Sequence, residues 1–292
     1  MVAEIEAAYR PRLQRHPAPR RTRRPIRWRR AFAGGLAALG GRMVGLAIPV
    51  LLPVLLVVLW YVAAAQGWLP AQILPHPLHV AEAARDFIAD GKLLNHTQIS
   101  LGRVLQGFAL GTAAGLCAGI AMGLSRPVED YVAPLFLAVA QVPTLGWVPL
   151  LMLFLGIDEA LKVVVIAKAA FIPVALNTYK GIRTVPAALL EVGDVLTFGR
   201  WERLTRIVLP ATVPQIVTGI RYGLTHAWLA LVAVELIASS EGLGFLMVWG
   251  RQLFQMDLVI VAMVTVGLVG LAFDRILATI ERRLQRWKGV AP

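Results

Sequence analysis

One cysteine, Cys117, is present in 292 residues, and it lies inside an apolar run. No disulfide can close within the chain, and no cysteine-based metal centre can form. Charge is scarce too: Asp, Glu, Lys and Arg make up 16% of the residues against 58% hydrophobic, far from the balance of an ordinary soluble domain. Nowhere does the chain carry a GxxxxGK[ST] phosphate loop, an HExxH or a GxSxG. Those absences remove the signatures of Walker-type ATP binding, zinc proteolysis and serine hydrolysis. The histidines, His16, His76, His79, His96 and His226, form no helical ligand pair; His76 and His79 are close together but sit beside proline in a loop, a poor metal site. An integral membrane enzyme or a respiratory subunit would need a catalytic set or haem-ligating histidines within apolar spans, where only His226 is found.

Acidic residues are outnumbered, 17 to 29, which leaves a net charge of +12. The basic residues flank greasy segments instead of interleaving with stacking aromatics, so nucleic acid is not the partner they point to. What is abundant is long apolar sequence. Runs that reach the roughly 20 residues needed to cross a bilayer predict an all-α integral membrane protein, since helices satisfy their own backbone there. Six spans fit: about 43–65, 100–124, 131–155, 160–179, 211–239 and 257–279. The first is longer than a signal-peptide core and is expected to be retained. The chain thus divides into a basic leader over 1–42, a transmembrane domain over 43–280 and a basic tail over 281–292. Lysine and arginine gather in the leader, in 180–206 and in the tail, which places both termini and that loop in the cytoplasm. The leader is expected to touch anionic lipid, and an amphipathic helix over about 78–90, after Pro70, Pro75 and Pro77, to lie on the opposite surface.

Gly107, Gly111, Gly115, Gly119 and Gly123 recur every four residues in the second span and make one bare stripe. It serves close helix packing within the subunit or contact with a second subunit. Four polar groups inside the spans are candidates for a translocation path: Lys168, Arg221, His226 and Glu235. Lys168 lies near mid-depth, and Glu235 is on the same side of the membrane. Lys168 is therefore either a structural ion-pair partner of Glu235 or a cation lining an anion path. His226 reads as a packing hydrogen-bonder or a ligand group, and Arg221 as a lining cation or a snorkelling anchor.

The stretch from Leu190 to Pro210 carries six charged residues between two greasy blocks. Val192, Val195, Leu196 and Phe198, then Leu204, Ile207 and Val208, recur at near-helical spacing, with Gly199 as a break. Two short amphipathic helices of this kind could lie on the bilayer or fill a groove on a soluble partner. Pro210 is expected to mark the turn into the fifth span.

At these residues the chain resembles the permease subunit of a type I ABC importer. That family's loop reads Glu-Ala-Ala, three residues, Gly, nine residues, Ile-x-Leu-Pro; Glu191, Ile207, Leu209 and Pro210 keep the spacing. "QVPTLGWVPLLMLFLGIDE", "FIPVALNTYKGIR", "TGIRYGLTHAWLALVAVELIASSEGLGF" and "LPHP" are similar to the branch importing aliphatic sulfonates, taurine and nitrate. Val192 and Gly193 replace the two alanines, and Thr197 stands where the glycine usually is, with Gly199 a substitute flexible point. Lys168 stands at a position often apolar in the family. The resemblance implies a MetI-like fold of six transmembrane helices, a homodimer with a second copy, two cytoplasmic ATPase subunits that hold ATP and Mg, and an extracytoplasmic binding protein. It implies no cofactor on this chain. It also implies that Glu191, Val192, Gly193, Val195, Leu196, Thr197, Phe198, Gly199, Arg200, Leu209 and Pro210 couple the permease to the ATPase, and that the loop before the sixth span helps form the outer gate.

Overall fold

The computed structural model describes residues 51–284 of the chain. The leader and most of the basic tail lie outside the described residues, as does the start of the first span. Two units are distinguished, residues 1–59 and residues 60–292. In the first, residues 51–59 are helical and begin α1, Leu51–Ala65. Everything that follows concerns the second unit.

After α1 comes α2, Pro77–Ala89, close to the expected 78–90. Proline at its first position lacks only an N–H that the helix would leave unpaired, and its fixed φ suits a helix start. His76 caps the helix through Nδ1, which accepts from Leu78 N–H at 3.3 Å. Val80 is buried in the main core, with Ala83, Ala84 and Phe87 packed against it.

The second span is α3, Lys92–Leu124, which starts eight residues earlier than the expected 100. All five glycines of its stripe are buried, and all five face one helix, α6, Glu159–Arg183. A Cβ on Gly107 would sit 2.6 Å from Ile166 Cβ, on Gly119 2.6 Å from Thr178 Cβ and on Gly123 2.8 Å from Ile182 Cβ. On Gly111 it would strike the carbonyl of Ala167, and on Gly115 Val174. The four-residue row of one helix thus meets a four-residue row of the other. The stripe is consumed inside the subunit, which settles the choice between its two readings. In lipid, such close approach supplies the van der Waals contact that drives helices together.

The expected single span over 131–155 is instead two helices, α4, Arg126–Gln141, and α5, Val148–Leu155, with a 3₁₀ turn Thr144–Trp147 between them and a bend of 93°. Pro143 is the cause: the residue before a proline is driven out of the helical region. Val142 is accordingly extended, φ −77°, ψ 117°. Pro149 then sits in the first turn of α5, where proline is tolerated.

The fourth span, α6, runs 25 residues and lies between α3 and a later helix, α9, Leu209–Ala238. Gly219 and Gly223 of α9 let it approach Asn177 and Val174 of α6. Between α6 and α9 come α7, Ala187–Val195, and a single turn α8, Arg200–Arg203. After α9 the chain forms α10, Leu243–Gln252, and α11, Met256–Leu284. By length and apolar composition α3, a stretch within Arg200–Gln252 and α11 qualify as spans, and the bent pair makes a fourth. With α1 and α6 the described residues hold six apolar helical segments in the expected order. Leu135, Leu153 and Leu268 are exposed, as expected where the solvent is hydrocarbon. No strand occurs among the described residues.

Candidate functional site

Three places gather the polar and exposed groups. The first is the loop between α6 and α9. Glu191, Val192, Val195 and Leu196 are exposed on α7 and its end, and Val195 keeps 83% of its surface. Gly193 alone on this helix is buried: a Cβ there would lie 2.7 Å from Ile207 Cδ1. Ile207 packs its Cδ1 into the space left by the glycine that replaces the second alanine of the family pattern.

The helix ends in a Schellman turn, in which Phe198 N–H donates to Gly193 O at 2.9 Å and Thr197 N–H donates to Asp194 O at 3.0 Å. Such a turn needs a left-handed residue, and Thr197 supplies it with φ +54°. Gly199, expected to be the flexible point, is extended at φ −64°, ψ 167°, a conformation open to any residue. The strain thus sits on Thr197, where the family pattern has glycine.

Gly199 instead caps α8, donating its N–H to Glu202 Oε2 at 3.2 Å. Arg200 begins α8 and is exposed. Arg206 lies over the Phe198 ring at 5.4 Å, and Arg203 pairs with Asp194. Leu204, Ile207 and Val208 are half-buried, less open than Val192 and Val195.

Pro210 marks no turn. α8 passes through a π-helical turn, Leu204–Val208, directly into α9. Leu209 N–H reaches back to Leu204 O, and this wider winding relieves the crowding that a proline ring imposes on the preceding turn. Arg200 through Ala238 is one continuous helical rod. Between α7 and that rod lies an apolar groove of about 510 Å³ bounded by Leu189, Val192, Phe198, Ile207 and Pro210.

The second place is at the other end of α6 and α9, and its centre is a residue that sequence reasoning passed over. Arg103 of α3 is 5% exposed and binds Glu159 of α6 through two parallel contacts, Nε to Oε2 at 2.7 Å and Nη2 to Oε1 at 2.6 Å. Its Nη1 donates to Glu235 Oε1 at 2.8 Å and to Glu241 O at 2.8 Å. Glu235, 1% exposed, also accepts from Ser100 Oγ at 2.9 Å and from Gly244 N–H at 2.9 Å. Lys162 donates to Glu159 at 2.7 Å. Gly242, at φ +105°, brings the loop before α10 so close that a Cβ would collide with the Glu235 carboxylate. Two cations and two carboxylates from three helices thus balance, and every oxygen of Glu235 is satisfied. The ion-pair partner of Glu235 is Arg103, so the alternative that paired it with Lys168 is corrected.

The third place is the break between α4 and α5. His226 of α9 lines two adjoining cavities, about 520 Å³ and 290 Å³, that share Pro143, Thr144 and Ala169; the larger also holds Asn177 and Tyr222. His226 Nδ1 lies 2.8 Å from the carbonyl oxygen of Tyr222. A carbonyl only accepts, so Nδ1 donates and Nε2 is the nitrogen left to meet a ligand. Lys168 is not in this cavity; it lines a separate one of about 550 Å³ with Trp147 and Leu110. Arg221 reaches neither. It holds Asp274 at 2.7 Å and Glu281 at 2.8 Å, tying α9 to α11.

No group of three or more potential metal-ligating side chains occurs among the described residues. The family model described as "Binding-protein-dependent transport system inner membrane component" matches residues 111–286, more than half of the chain. The putative aliphatic sulfonates transport permease protein SsuC of Bacillus subtilis (strain 168) is 38% identical over 238 residues, 82% of this chain and 86% of that protein. The taurine transport system permease protein TauC of Escherichia coli (strain K12) is 33% identical over 243 residues, 82% of this chain and 88% of that one. Among solved structures, the MetNI methionine ABC transporter in an inward facing conformation matches with a TM-score of 0.50 at 15% identity, over 62% of this chain and 92% of that chain. That likeness concerns the fold. Members of the family are multi-pass membrane permeases and not enzymes, and ATP is hydrolysed by their ATPase partners. The chain belongs to the binding-protein-dependent inner membrane components, the permease subunits of ABC importers.

Proposed function

We propose that this permease passes a small organic anion, an aliphatic sulfonate, inward across the membrane as one of two identical copies, driven by two cytoplasmic ATPase subunits and fed by an extracytoplasmic binding protein. Both termini and the loop over 180–210 face the cytoplasm in this reading. The observation that carries it is the joint between α7 and the rod from Arg200 to Ala238. A helix that runs unbroken from the loop to the far end of the span moves as one body, whereas a flexible connection would absorb the motion. Exposed Val192, Val195 and Leu196 would seat in the ATPase, and Glu191 would be the polar contact.

Among the path candidates, His226 and Lys168 border cavities, while Arg221 and Glu235 serve as structural ion pairs. The likeness to the sulfonates permease supports the substrate class; the likeness to the taurine permease favours taurine as the second reading, with nitrate or another small anion using the same machinery. The test is co-purification with the ATPase and ATPase assays in lipid with the binding protein and a panel of alkanesulfonates, taurine and nitrate. Stimulation by alkanesulfonates alone is expected. Stimulation by taurine or nitrate alone would replace the substrate, and a stable complex that responds to none of them would remove the anion assignment.

A further inference from the structure

Resting on the permease reading, we propose that the cavity around Lys168 is a binding site for a soluble amphiphilic anion, a sulfonate-type head on a short alkyl tail. Its volume of about 550 Å³ falls in the range of small-molecule sites. The walls are apolar, with Leu110, Val139, Leu151, Val164 and Phe171. One polar group stands out among them, Lys168. Lys168 Nζ has a long contact to Val142 O, 3.4 Å, and lies 5.2 Å over the Trp147 ring; no carboxylate pairs with it among the described residues. The ammonium on the cavity wall, with no carboxylate beside it, gains from an acceptor that carries negative charge.

The apolar walls decide the rest of the ligand. An inorganic oxyanion would leave them uncovered, whereas each methylene that enters them raises affinity about fourfold. Depth decides the source. Lys168 is nine residues into α6, about 13 Å along the axis, so an ion from solution fits better than a headgroup held at the membrane surface.

The experiment takes the full chain purified with its ATPase in phosphatidylcholine nanodiscs and follows tryptophan emission during titration with ethane-, butane- and hexanesulfonate and with sulfate. A saturable change is expected whose affinity rises about fourfold per methylene and which sulfate does not produce. Trp147→Phe should remove most of the signal. By competition with a labelled alkanesulfonate, Lys168→Met should weaken binding tenfold or more while Lys168→Arg retains it. Val164→Trp, which fills the cavity and keeps the lysine, should also lose binding, so the inference does not hang on one variant. A flat chain-length dependence, or unchanged affinity in Lys168→Met, would overturn it. So would phosphatidylglycerol that evokes the same change and blocks the sulfonate, which would make this a lipid site. ATPase stimulation by the binding protein, measured on the same sample, separates the two levels: stimulation without an emission change overturns this site alone, whereas loss of both overturns the importer reading with it.

Discussion

Where α9 meets α10, Arg103, Glu159, Lys162 and Glu235 close on one another from three helices, and the loop over 239–242 is hydrogen-bonded down onto them. At the opposite end, where α6 leads into α9, Val192, Val195 and Leu196 stand exposed, and the residue that turns the chain, Thr197, sits in a left-handed conformation. The first end is complete within one subunit: its charges are neutralised and its donors satisfied. The second is a surface that gains by being covered. A permease needs both, because a motion delivered at one end of a rod reaches the other only if the helices there hold together.

That contrast can be broken most severely at Arg103. Arg103→Leu strands Glu235 in a site that is 1% exposed, and a buried charge robbed of its partner costs about 3–5 kcal/mol. The permease is expected to lose thermal stability in detergent or fail to assemble; a variant as stable as the parent would show that the network is ornamental. Replacing the pair together, Arg103→Met with Glu235→Leu, should recover part of that loss, since no charge is left unpaired at that bond.

At the other end the same kind of assault should do the reverse. Val192→Asp and Leu196→Asp lie on exposed positions and should change stability by no more than about 0.5 kcal/mol, yet weaken capture of the ATPase by tenfold or more in a pull-down. Normal capture with either would mean that α7 is not the seat. Glu191→Ala should leave the fold intact and lower coupled ATPase turnover; stimulation equal to the parent would dismiss its role. The smallest effect is expected at the turn itself. Thr197→Gly removes the left-handed strain and should raise stability by about 1 kcal/mol, read as a small rise in the unfolding midpoint. A fall would mean that the threonine side chain contributes something its geometry does not reveal.

Much of this was legible from residues alone. Apolar run lengths foretold six helical segments in order, and the four-residue glycine period foretold a bare face. Its partner stayed open because periodicity says nothing about which helix answers it; the matching row on α6 is a tertiary fact. Arg103 was passed over although a lone arginine beside Gly107 in an apolar run is itself a signal. Its partners, however, lie 56 and 132 residues away, beyond any local pattern. The bend after Gln141 was announced by Val142-Pro143 and overlooked because hydropathy runs smoothly through it. Pro210 misled in the opposite sense: proline ordinarily interrupts a helix, but here the chain winds through a π turn from Leu204 to Val208 and the helix continues. At Thr197 the missing glycine pointed toward relocation of the bend to Gly199, whereas the chain kept the bend and accepted the strain.

The most direct test of the account is photocrosslinking from the exposed end. A photoreactive group at Val195, which is 83% exposed, is compared with one at Leu268 on α11, which is 62% exposed among apolar neighbours, in the lipid-reconstituted complex. Position 195 is expected to crosslink to the ATPase, with a yield that changes when ATP is added, and position 268 to lipid. Crosslinking from 195 to lipid alone, with no ATPase product, would contradict it.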